Sequence, residues 1–328
     1  MLKQFCGGQN EDDCKNLIQD LNSRNVYSIL DYSVEGLENE LSFEETVSRT
    51  LNLIELNTSN NFPFIVFKPT GIGRFDLYKK KSSKAKLSDL EKTEWSKVLS
   101  RYDIICDTAQ KKNVSVLIDA EESWIQSIID EIYENLIVKY NSKKAVVYNT
   151  VQAYRTDRLE YLKKLYQTFS STDFHLGVKL VRGAYMEKER QRARFLNYID
   201  PIYKSKNDTD KCFNNCLIFM FENVELFSIF IGSHNEKSNY LALDYINKYN
   251  IKKNKVWFSQ LYGMSDHISY NLSDKGYNVA KYLPFGPFKG VIPYLFRRAE
   301  ENTAIEGQTS RELFLYKKEI KRRNYSKL

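Results

Sequence analysis

Short apolar runs alternate along the chain with longer segments whose apolar residues recur every three or four positions. The short runs indicate buried strands, and the longer spacing indicates amphipathic helices. The predicted strands are Val26–Ser33, Pro63–Pro69, Val114–Ala120, Ala145–Val151, Leu176–Arg182, Phe227–Gly232, Val256–Gln260 and Val279–Leu283. The predicted helices are Asn10–Ser23, Leu41–Leu56 with a Ser42/Glu45 capping box, Leu87–Lys111, Glu121–Tyr140, Arg155–Ser170, Met186–Phe195, Asp208–Phe221, Glu236–Tyr249, Ser265–Lys275 and one beginning near Pro293.

This alternation predicts a parallel sheet covered by helices, because each crossover between parallel strands places a helix on the face of the sheet. Eight units in 328 residues favour a closed (β/α)₈ barrel over an open doubly wound sheet. The first strand is not followed by a G-x-G-x-x-G turn, so the dinucleotide-binding fingerprint is missing. We expect one α/β domain over residues 1–328, with a short helical lead-in and a basic C-terminal helix.

Polar side chains stand at the carboxyl ends of the predicted strands, where barrel enzymes carry their active sites. These residues are Lys68, Asp119, Gln152, Lys179, Arg182, His234, Gln260 and Tyr282. Each alone has an ordinary explanation, such as a solvated loop residue, a helix cap or a hydrogen-bonded buried imidazole. Their shared rim favours a functional site, and the excess of cations predicts an anionic ligand. The sequence offers no metal-ligand cluster and no Ser/His/Asp order, so we expect a cofactor to carry the chemistry.

Composition narrows the possible partners and compartments. The chain is 42% hydrophobic and 28% charged, and its net charge of +7 is compatible with an anionic cofactor, acidic lipid or nucleic acid. A basic stretch near the C-terminus is more typical of a solvated helix face than of a nucleic-acid site. Five cysteines without a C-x-x-C pair argue against zinc and favour reduced thiols in the cytoplasm. No window is apolar enough for a membrane span, which leaves peripheral contact with the inner membrane open.

The stretch from Tyr282 to Asn302 joins the last strand to a further helix. It carries Arg297 and Arg298 side by side, with Glu301 one turn after Arg297. By itself such a pair is most often an exposed helix face with a weak ion pair. Its position after an eighth strand makes a second interpretation possible, in which the pair holds an anion at the barrel mouth.

Several of these segments resemble signatures of the proline dehydrogenase family. They are Lys179-Leu-Val-Arg-Gly-Ala-Tyr-Met-Glu-Lys-Glu-Arg190, Tyr282-Leu-Pro-Phe-Gly-Pro, Pro293-Tyr-Leu-Phe-Arg-Arg-Ala-Glu-Glu-Asn302, Asp119-Ala-Glu, Gln152-Ala-Tyr, Ser233-His-Asn and Gln260-Leu-Tyr-Gly-Met. The resemblance runs in matching order from Gln4 to about Thr303. It implies a distorted (β/α)₈ barrel with its last helix over the C-terminal face, FAD as cofactor, and oxidation of L-proline to 1-pyrroline-5-carboxylate.

The resemblance also implies roles for individual residues. Asp119 and Lys179 match the catalytic positions, with Lys179 near flavin N5. The implied substrate-binding residues are Lys68, Arg297 and Arg298 for the carboxylate, and Tyr282, Leu180 and Tyr294 for the ring. The positions that match flavin contacts are Ala120, Gln152, Arg182, Gly183, Ala184, Ser233 and His234. Planar guanidinium groups suit a carboxylate, and a glycine allows a cofactor to approach the backbone closely.

The implied reaction is hydride transfer from the ring carbon beside nitrogen to flavin N5, followed by electron transfer to a membrane quinone. A functional link to 1-pyrroline-5-carboxylate dehydrogenase is also implied, although no aldehyde dehydrogenase module follows and the chain is expected to be monofunctional. The chain begins close to the barrel. It has Lys179 where some family members have Arg, and Ser233 where some have Thr. The alternatives are hydroxyproline oxidation, a methylenetetrahydrofolate-reductase-like flavin barrel, and a basic non-enzymatic nucleic-acid binder. The first is disfavoured by the bulk of Tyr282. The second predicts NAD(P)H as reductant and does not explain Arg297 and Arg298, and the third does not explain the rim residues.

Overall fold

Eight parallel strands form the framework of the computed structural model, which describes residues 2–32, 38–56, 62–288, 290–292, 294–296, 314 and 317–323. The strands are β1 (Val26–Tyr32), β2 (Phe64–Phe67), β3 (Ser115–Ile118), β4 (Val147–Gln152), β5 (Leu176–Val181), β6 (Phe227–Gly232), β7 (Val256–Leu261) and β8 (Asn278–Phe285). From β2 to β8, each strand pairs with the next strand in the chain, and β1 pairs with β8. The predicted distorted (β/α)₈ barrel is confirmed.

The distortion of the barrel lies between β1 and β2. Parallel ladders join the other neighbouring strands, but within the described part of the chain no ladder joins β1 to β2. A second, smaller cavity of about 60 Å³ lies at this seam. Asp31 and Lys68 line both this space and the main cavity of the barrel. The seam therefore adjoins the mouth of the barrel.

Alternate residues of each strand point to two separate cores, as the pleat of a strand requires. The inner core fills the barrel and includes Phe64, whose ring meets those of Tyr148, Phe230 and Trp257 edge to face at centroid distances of 5.4, 5.0 and 5.0 Å. The outer core lies between the strands and the helices and includes Leu180. The aromatic inner core packs the barrel below its carboxyl end, where the main cavity opens.

Eleven helices pack around the strands. They are α1 (Leu2–Phe5), α2 (Lys15–Asn22), α3 (Glu40–Glu55), α4 (Phe75–Ser82), α5 (Asp89–Lys111), α6 (Ser123–Tyr140), α7 (Arg158–Phe169), α8 (Met186–Leu196), α9 (Lys206–Glu222), α10 (Glu236–Lys248) and α11 (Asp266–Asp274) among the described residues, with short 3-10 turns at Pro69–Gly71 and Lys253–Lys255. The sequence pattern missed α1 and α4. In α4 only Leu77 and Tyr78 are buried, and three lysines follow them. Two apolar positions are too few to reveal a helical period in the sequence.

The predicted Ser42/Glu45 capping box is wrong. α3 begins two residues before Ser42, and the Asn39 side chain accepts a hydrogen bond from the Ser42 backbone N–H at 3.0 Å. A complete capping box does occur at α5, where Ser88 and Glu91 bond reciprocally to each other's backbone N–H groups. The predicted end of β8 at Leu283 is also too early. β8 runs through Pro284, whose carbonyl accepts a hydrogen bond from the Gly7 N–H at 2.9 Å.

Residues 290–292 and 294–296 are helical, as are residues 317–323 in the basic C-terminal stretch. Arg297, Arg298 and Glu301 lie outside the described residues, and so does the larger part of the helix predicted to cover the barrel mouth. Within the described ranges, no helix is long and apolar enough to cross a bilayer.

Candidate active site

A cavity of about 380 Å³ opens at the carboxyl ends of the strands. It brings together most of the residues singled out in the sequence. The predicted site residues that line it are Lys68, Asp119, Ala120, Gln152, Lys179, Arg182, Gly183, Ala184, Ser233, His234, Tyr282 and Tyr294. They come from six strands and the loops after them, which shows why they are scattered in sequence and close in space.

Asp119, Lys179 and Tyr282 form one hydrogen-bonded cluster. The Lys179 ammonium donates to Asp119 Oδ1, and the Tyr282 hydroxyl donates to Asp119 Oδ2 at 2.6 Å. The Lys179 ammonium also lies 4.7 Å from the centroid of the Tyr282 ring. The side chains of Lys179 and Asp119 are 8% and 15% exposed. In such a dry setting, both charge-assisted bonds fix the carboxylate firmly.

Burial and the nearby carboxylates of Asp119 and Asp31 raise the pKa of Tyr282 well above its usual value. The phenol therefore keeps its proton throughout the physiological range. Since its hydroxyl is committed to Asp119, Tyr282 acts as a hydrogen-bond donor to that carboxylate and offers its ring to a ligand.

Arg182 lies after β5 and is anchored by three elements. Its Nε donates to Asp210 on α9 at 2.6 Å, Nη1 donates to Ser233 Oγ after β6 at 2.7 Å, and Nη2 donates to Ser238 Oγ on α10 at 3.0 Å. Its guanidinium also stacks over the Phe213 ring at 4.3 Å. Three of its five N–H groups are used in this way, which holds a cation at the cavity wall with donors left for a ligand.

His234 is oriented by two hydrogen bonds. The backbone N–H of Leu261 donates to Nε2 at 3.4 Å, and Nδ1 lies 3.0 Å from Ser265 Oγ. Because Nε2 accepts, the neutral ring carries its proton on Nδ1 and donates it to Ser265. Ser265 itself has a left-handed backbone at φ 53°, which shows that this loop is tightly constrained.

The amide of Gln152 donates to the backbone carbonyl of Glu121 at 2.7 Å, which ties the end of β4 to the loop after β3. The Glu121 carboxylate accepts from the backbone N–H of Thr70 at 3.0 Å and from its hydroxyl at 2.6 Å. Burial nevertheless raises the pKa of Glu121 to about 7. Glu121 thus links the loops after β2 and β3.

Gly183 is required by its local structure. Its φ is +132°, and a Cβ atom at this position would lie 2.4 Å from Cδ1 of the Tyr154 ring. Both the positive φ and the contact exclude a larger residue. Glycine is therefore needed at position 183 because the backbone packs against the Tyr154 ring. This requirement is separate from any close approach of a cofactor.

The structure does not bring Leu180 to the cavity. Its neighbour Lys179 lines the cavity, whereas the Leu180 side chain is fully buried in the outer core between strands and helices. Adjacent residues of a strand point to opposite faces, so with Lys179 turned into the barrel the Leu180 side chain packs against the helices. The assignment of Leu180 to the substrate ring is therefore corrected.

Sequence reasoning missed two charged residues at the cavity, Asp31 and Lys206. Asp31 is 5% exposed and lies near the end of β1, so the rule used for the other strand ends would have found it. Lys206 begins α9 and also pairs with Asp210 at 2.7 Å. Nothing in the local sequence indicates that this helix start faces the cavity.

The arrangement combines cations and hydrogen-bond donors on one wall with a carboxylate and an aromatic ring on the other. Such a site can hold an anionic ligand with a large polar group and, beside it, a small charged substrate with an apolar body. The described lining contains ordered charges and oriented donors, which suit binding and orientation.

Comparison with known proteins agrees with this geometry. A sequence model described as proline dehydrogenase matches residues 14–311. The chain is similar to the carbapenem antibiotics biosynthesis protein CarD of Pectobacterium carotovorum subsp. carotovorum, with 33% identity over 97% of this chain and 83% of the relative. It is 32% identical to the mitochondrial proline dehydrogenase 1 of Dictyostelium discoideum over 98% of this chain and 64% of that protein.

Among solved structures, proline utilization A from Bdellovibrio bacteriovorus superposes with a TM-score of 0.82 at 22% identity. The match covers 93% of this chain and 33% of that protein, so this chain spans about a third of its length. This likeness supports the barrel fold. Because the sequence model matches nearly the whole chain, the chain belongs to the proline dehydrogenase family.

Proposed function

We propose that this protein oxidises L-proline to 1-pyrroline-5-carboxylate, with FAD bound along the wall formed by β4–β7. The observation that carries the proposal is the cavity itself. It places the Asp119–Lys179–Tyr282 cluster beside the anchored Arg182, within one space of about 380 Å³. One end suits a small zwitterion, and the other suits an extended anionic cofactor.

The residues of the β4–β7 wall fit FAD by their chemistry. Arg182 offers a fixed cation to a phosphate, and Gln152 and His234 are held in single orientations by protein hydrogen bonds. The isoalloxazine ring needs such fixed polar neighbours at its edge and apolar contact on its face, which Phe230 and Leu261 supply in the lining. Bound FAD would accept the two electrons and the hydrogen that leave the ring carbon beside the proline nitrogen.

The chain's own residues position the substrate. In this proposal Lys68 binds the proline carboxylate together with Arg297 and Arg298, which lie outside the described residues. The Tyr282 ring packs against the pyrrolidine ring, and Tyr294 closes the same side. Asp119 already accepts hydrogen bonds from Lys179 and Tyr282, so its negative charge is compensated, and it orients these two groups.

Substrate choice follows from Tyr282. Its hydroxyl is held by Asp119 at 2.6 Å, so the surface that it presents to the ring is apolar. A hydroxyl on the pyrrolidine ring would lose its water without gaining a partner there. We therefore propose proline, and not hydroxyproline, as the preferred substrate. The proposed electron acceptor is a membrane quinone, and the product would be used by a 1-pyrroline-5-carboxylate dehydrogenase.

The test is reduction of a dye by purified protein supplied with FAD, with L-proline, trans-4-hydroxy-L-proline or NADH as reductant. The expected result is a bound-flavin absorption spectrum that L-proline bleaches under anaerobic conditions and that turns over with the dye. Bleaching by NADH but not by proline would instead support the methylenetetrahydrofolate-reductase-like alternative. A bound flavin that none of the three reductants bleaches would contradict the proposal.

A further inference from the structure

A fully buried lysine on β8 lies directly behind the candidate site. Lys281 precedes Tyr282, whose side chain lines the cavity, and neighbouring residues of a strand point to opposite faces. The Lys281 side chain therefore points away from the cavity, into the layer between strands and helices, where Val279 and Leu283 are also buried. An ammonium group is costly to bury, so a lysine is almost never enclosed unless it has partners. The partners of Lys281 therefore indicate what its charge contributes.

Lys281 holds the loop between β7 and α11. Its Nζ donates to the Met264 carbonyl at 2.6 Å and forms an ion pair of 2.7 Å with Asp266, the first residue of α11. We call residues 262–265 the β7–α11 loop. Its first residue is also tied to β8, because the Tyr262 N–H donates to a β8 carbonyl at 2.9 Å. The loop is thus fastened to β8 at both ends, and the ammonium supplies the anchor at the α11 end.

The backbone of the β7–α11 loop needs such anchors. Gly263 and Ser265 have φ angles of +76° and +53°, in the left-handed region. A serine in that conformation costs free energy, and it persists where its surroundings enforce it. At Gly263 a Cβ atom would lie 1.9 Å from the Gln4 carbonyl oxygen, so α1 packs directly on the loop. The two groups that Lys281 holds flank Ser265 in the chain, where they can enforce its conformation.

The loop makes two contacts with side chains that line the cavity. The Ser265 hydroxyl lies 3.0 Å from Nδ1 of His234, where it accepts the proton of the neutral ring. The Met264 side chain packs with Tyr294 in a small buried core. His234 and Tyr294 both line the cavity. A movement of the loop would therefore reach the wall proposed for FAD through His234 and the side proposed for the substrate through Tyr294.

We propose that Lys281 is a positioning residue for the cofactor wall. Its ammonium fixes the β7–α11 loop, and the loop places the Ser265 hydroxyl where it keeps His234 in the Nδ1–H tautomer and in one orientation. Lys281 lies on the far face of β8 and touches neither FAD nor proline in this proposal. The inference rests on the proposed function in one respect, since that function places FAD beside His234.

The first test detects the tautomer of His234 directly. The chain has three histidines, so the imidazole signals of protein labelled with nitrogen-15 histidine can be assigned by substitution. Lys281→Met keeps the length of the side chain and removes its charge. The control, Ser273→Ala, removes a hydroxyl that fastens the other end of α11 by donating to the Arg24 carbonyl at 2.7 Å. In the FAD-loaded full chain we expect one tautomer in wild type and control, and a mixture of both in Lys281→Met.

The second test is titration with FAD, followed by flavin fluorescence. The FAD dissociation constant of Lys281→Met should rise about tenfold, the lower end of the range for groups that orient metal-binding histidines. In a His234→Ala background the same substitution should have no further effect, because the side chain through which Lys281 acts is gone. Ser273→Ala should lower Tm and bind FAD as the wild type does.

Asp266→Asn provides a milder variant if Lys281→Met does not fold. The Asp266 side chain is 43% exposed, so the substitution weakens the ion pair without enclosing a new polar group. The FAD dissociation constant should rise about threefold, as expected for the loss of a partly exposed ion pair. This rise should also vanish in the His234→Ala background. Wild-type affinity in Asp266→Asn would contradict the proposal.

Three further results would overturn it: an unchanged His234 tautomer in Lys281→Met, an equal rise of the dissociation constant in the His234→Ala background, or an equal loss of FAD affinity in Ser273→Ala. Bleaching of the bound flavin by proline tests the proposed reaction separately. A tautomer change in Lys281→Met, together with a wild-type flavin that proline does not bleach, would support the role of Lys281 and count against the reaction alone.

Discussion

The two walls of the cavity are built differently. On the wall formed by β4–β7, Arg182, Gln152 and His234 are each held by a second protein group, and the parallel ladder below them is continuous. The wall formed by β8 and β1–β3 contains Asp31, Lys68 and Asp119 beside a seam without a ladder among the described strands. A permanently bound cofactor benefits from groups fixed in advance. A substrate that enters and leaves at each turnover benefits from a wall that can yield.

The comparison predicts that the largest change in cofactor binding follows from Arg182→Ala. The substitution removes a partly buried cation and leaves Asp210 with Lys206 as its ion-pair partner. FAD affinity should fall by about 2–5 kcal/mol, as for loss of a hydrogen-bonded charge from a binding site. Titration of the apoprotein with FAD, followed by flavin fluorescence, measures this effect. Lys211→Ala on the exposed face of α9 is the matched control, and an equal loss in both would argue against a specific contact.

Glu121 lies where the two walls meet and predicts a pH-dependent stability. Its folded-state pKa of about 7 lies above the ordinary value of 4.5, so the folded chain keeps a proton that the unfolded chain releases. Stability therefore falls as pH rises through this window, by up to about 3 kcal/mol. Glu121→Gln should remove this contribution and make Tm less dependent on pH between about 5 and about 8.

The exposed Glu131 supplies the control for this experiment, since Glu131→Gln should leave the pH dependence of Tm as in the wild-type protein. If Glu121→Gln instead loses stability equally across the whole window, its hydrogen bonds to Thr70 matter more than its proton.

Tyr282→Phe tests the wall formed by β8 and β1–β3. It keeps the ring but removes the 2.6 Å hydrogen bond to Asp119, a charge-assisted contact worth about 1.5–3 kcal/mol. We expect kcat/KM for proline to fall by that amount while FAD affinity stays unchanged. Steady-state kinetics and FAD titration separate the two. Tyr148→Phe, deeper in the inner core, is the control, and a loss of FAD from Tyr282→Phe would contradict the division between the walls.

Asp210→Asn gives the smallest expected effect and sharpens the account of the fixed wall. Asparagine can still accept from Arg182 but removes the charge, so FAD affinity should fall by about 1 kcal/mol. Asp210 acts here as a positioning residue. The double variant Arg182→Ala/Asp210→Asn should therefore bind FAD no more weakly than Arg182→Ala. Additive losses would show that Asp210 acts independently of Arg182.

The sequence predicts the barrel and most of the cavity for one physical reason. Parallel strands converge at one rim, so polar residues at successive strand ends, such as Lys68, Asp119 and Gln152, must lie near each other. The same rule, applied to β1, would have found Asp31. The two-residue pleat would have excluded Leu180 once Lys179 was assigned to the interior.

Other features depend on contacts between distant elements and leave no local signal. The anchoring of Arg182 needs α9 and α10 to pack so that Asp210 and Ser238 reach the same guanidinium group. The need for glycine at position 183 arises from the Tyr154 ring, which lies almost thirty positions earlier in the chain. Arg297 and Arg298, which the resemblance implies for the carboxylate, lie outside the described residues, so their assignment stays a prediction.

The seam between β1 and β2 has a consequence for how the barrel opens. Amide protons in a continuous ladder exchange with solvent only when the ladder breaks. Amide protons at a strand edge without inter-strand hydrogen bonds exchange through smaller local fluctuations. Deuterium should thus enter the facing edges of Val26–Tyr32 and Phe64–Phe67 before it enters Leu176–Val181. The barrel would then open between the strands beside the proposed substrate, while the strands that hold the cofactor stay paired.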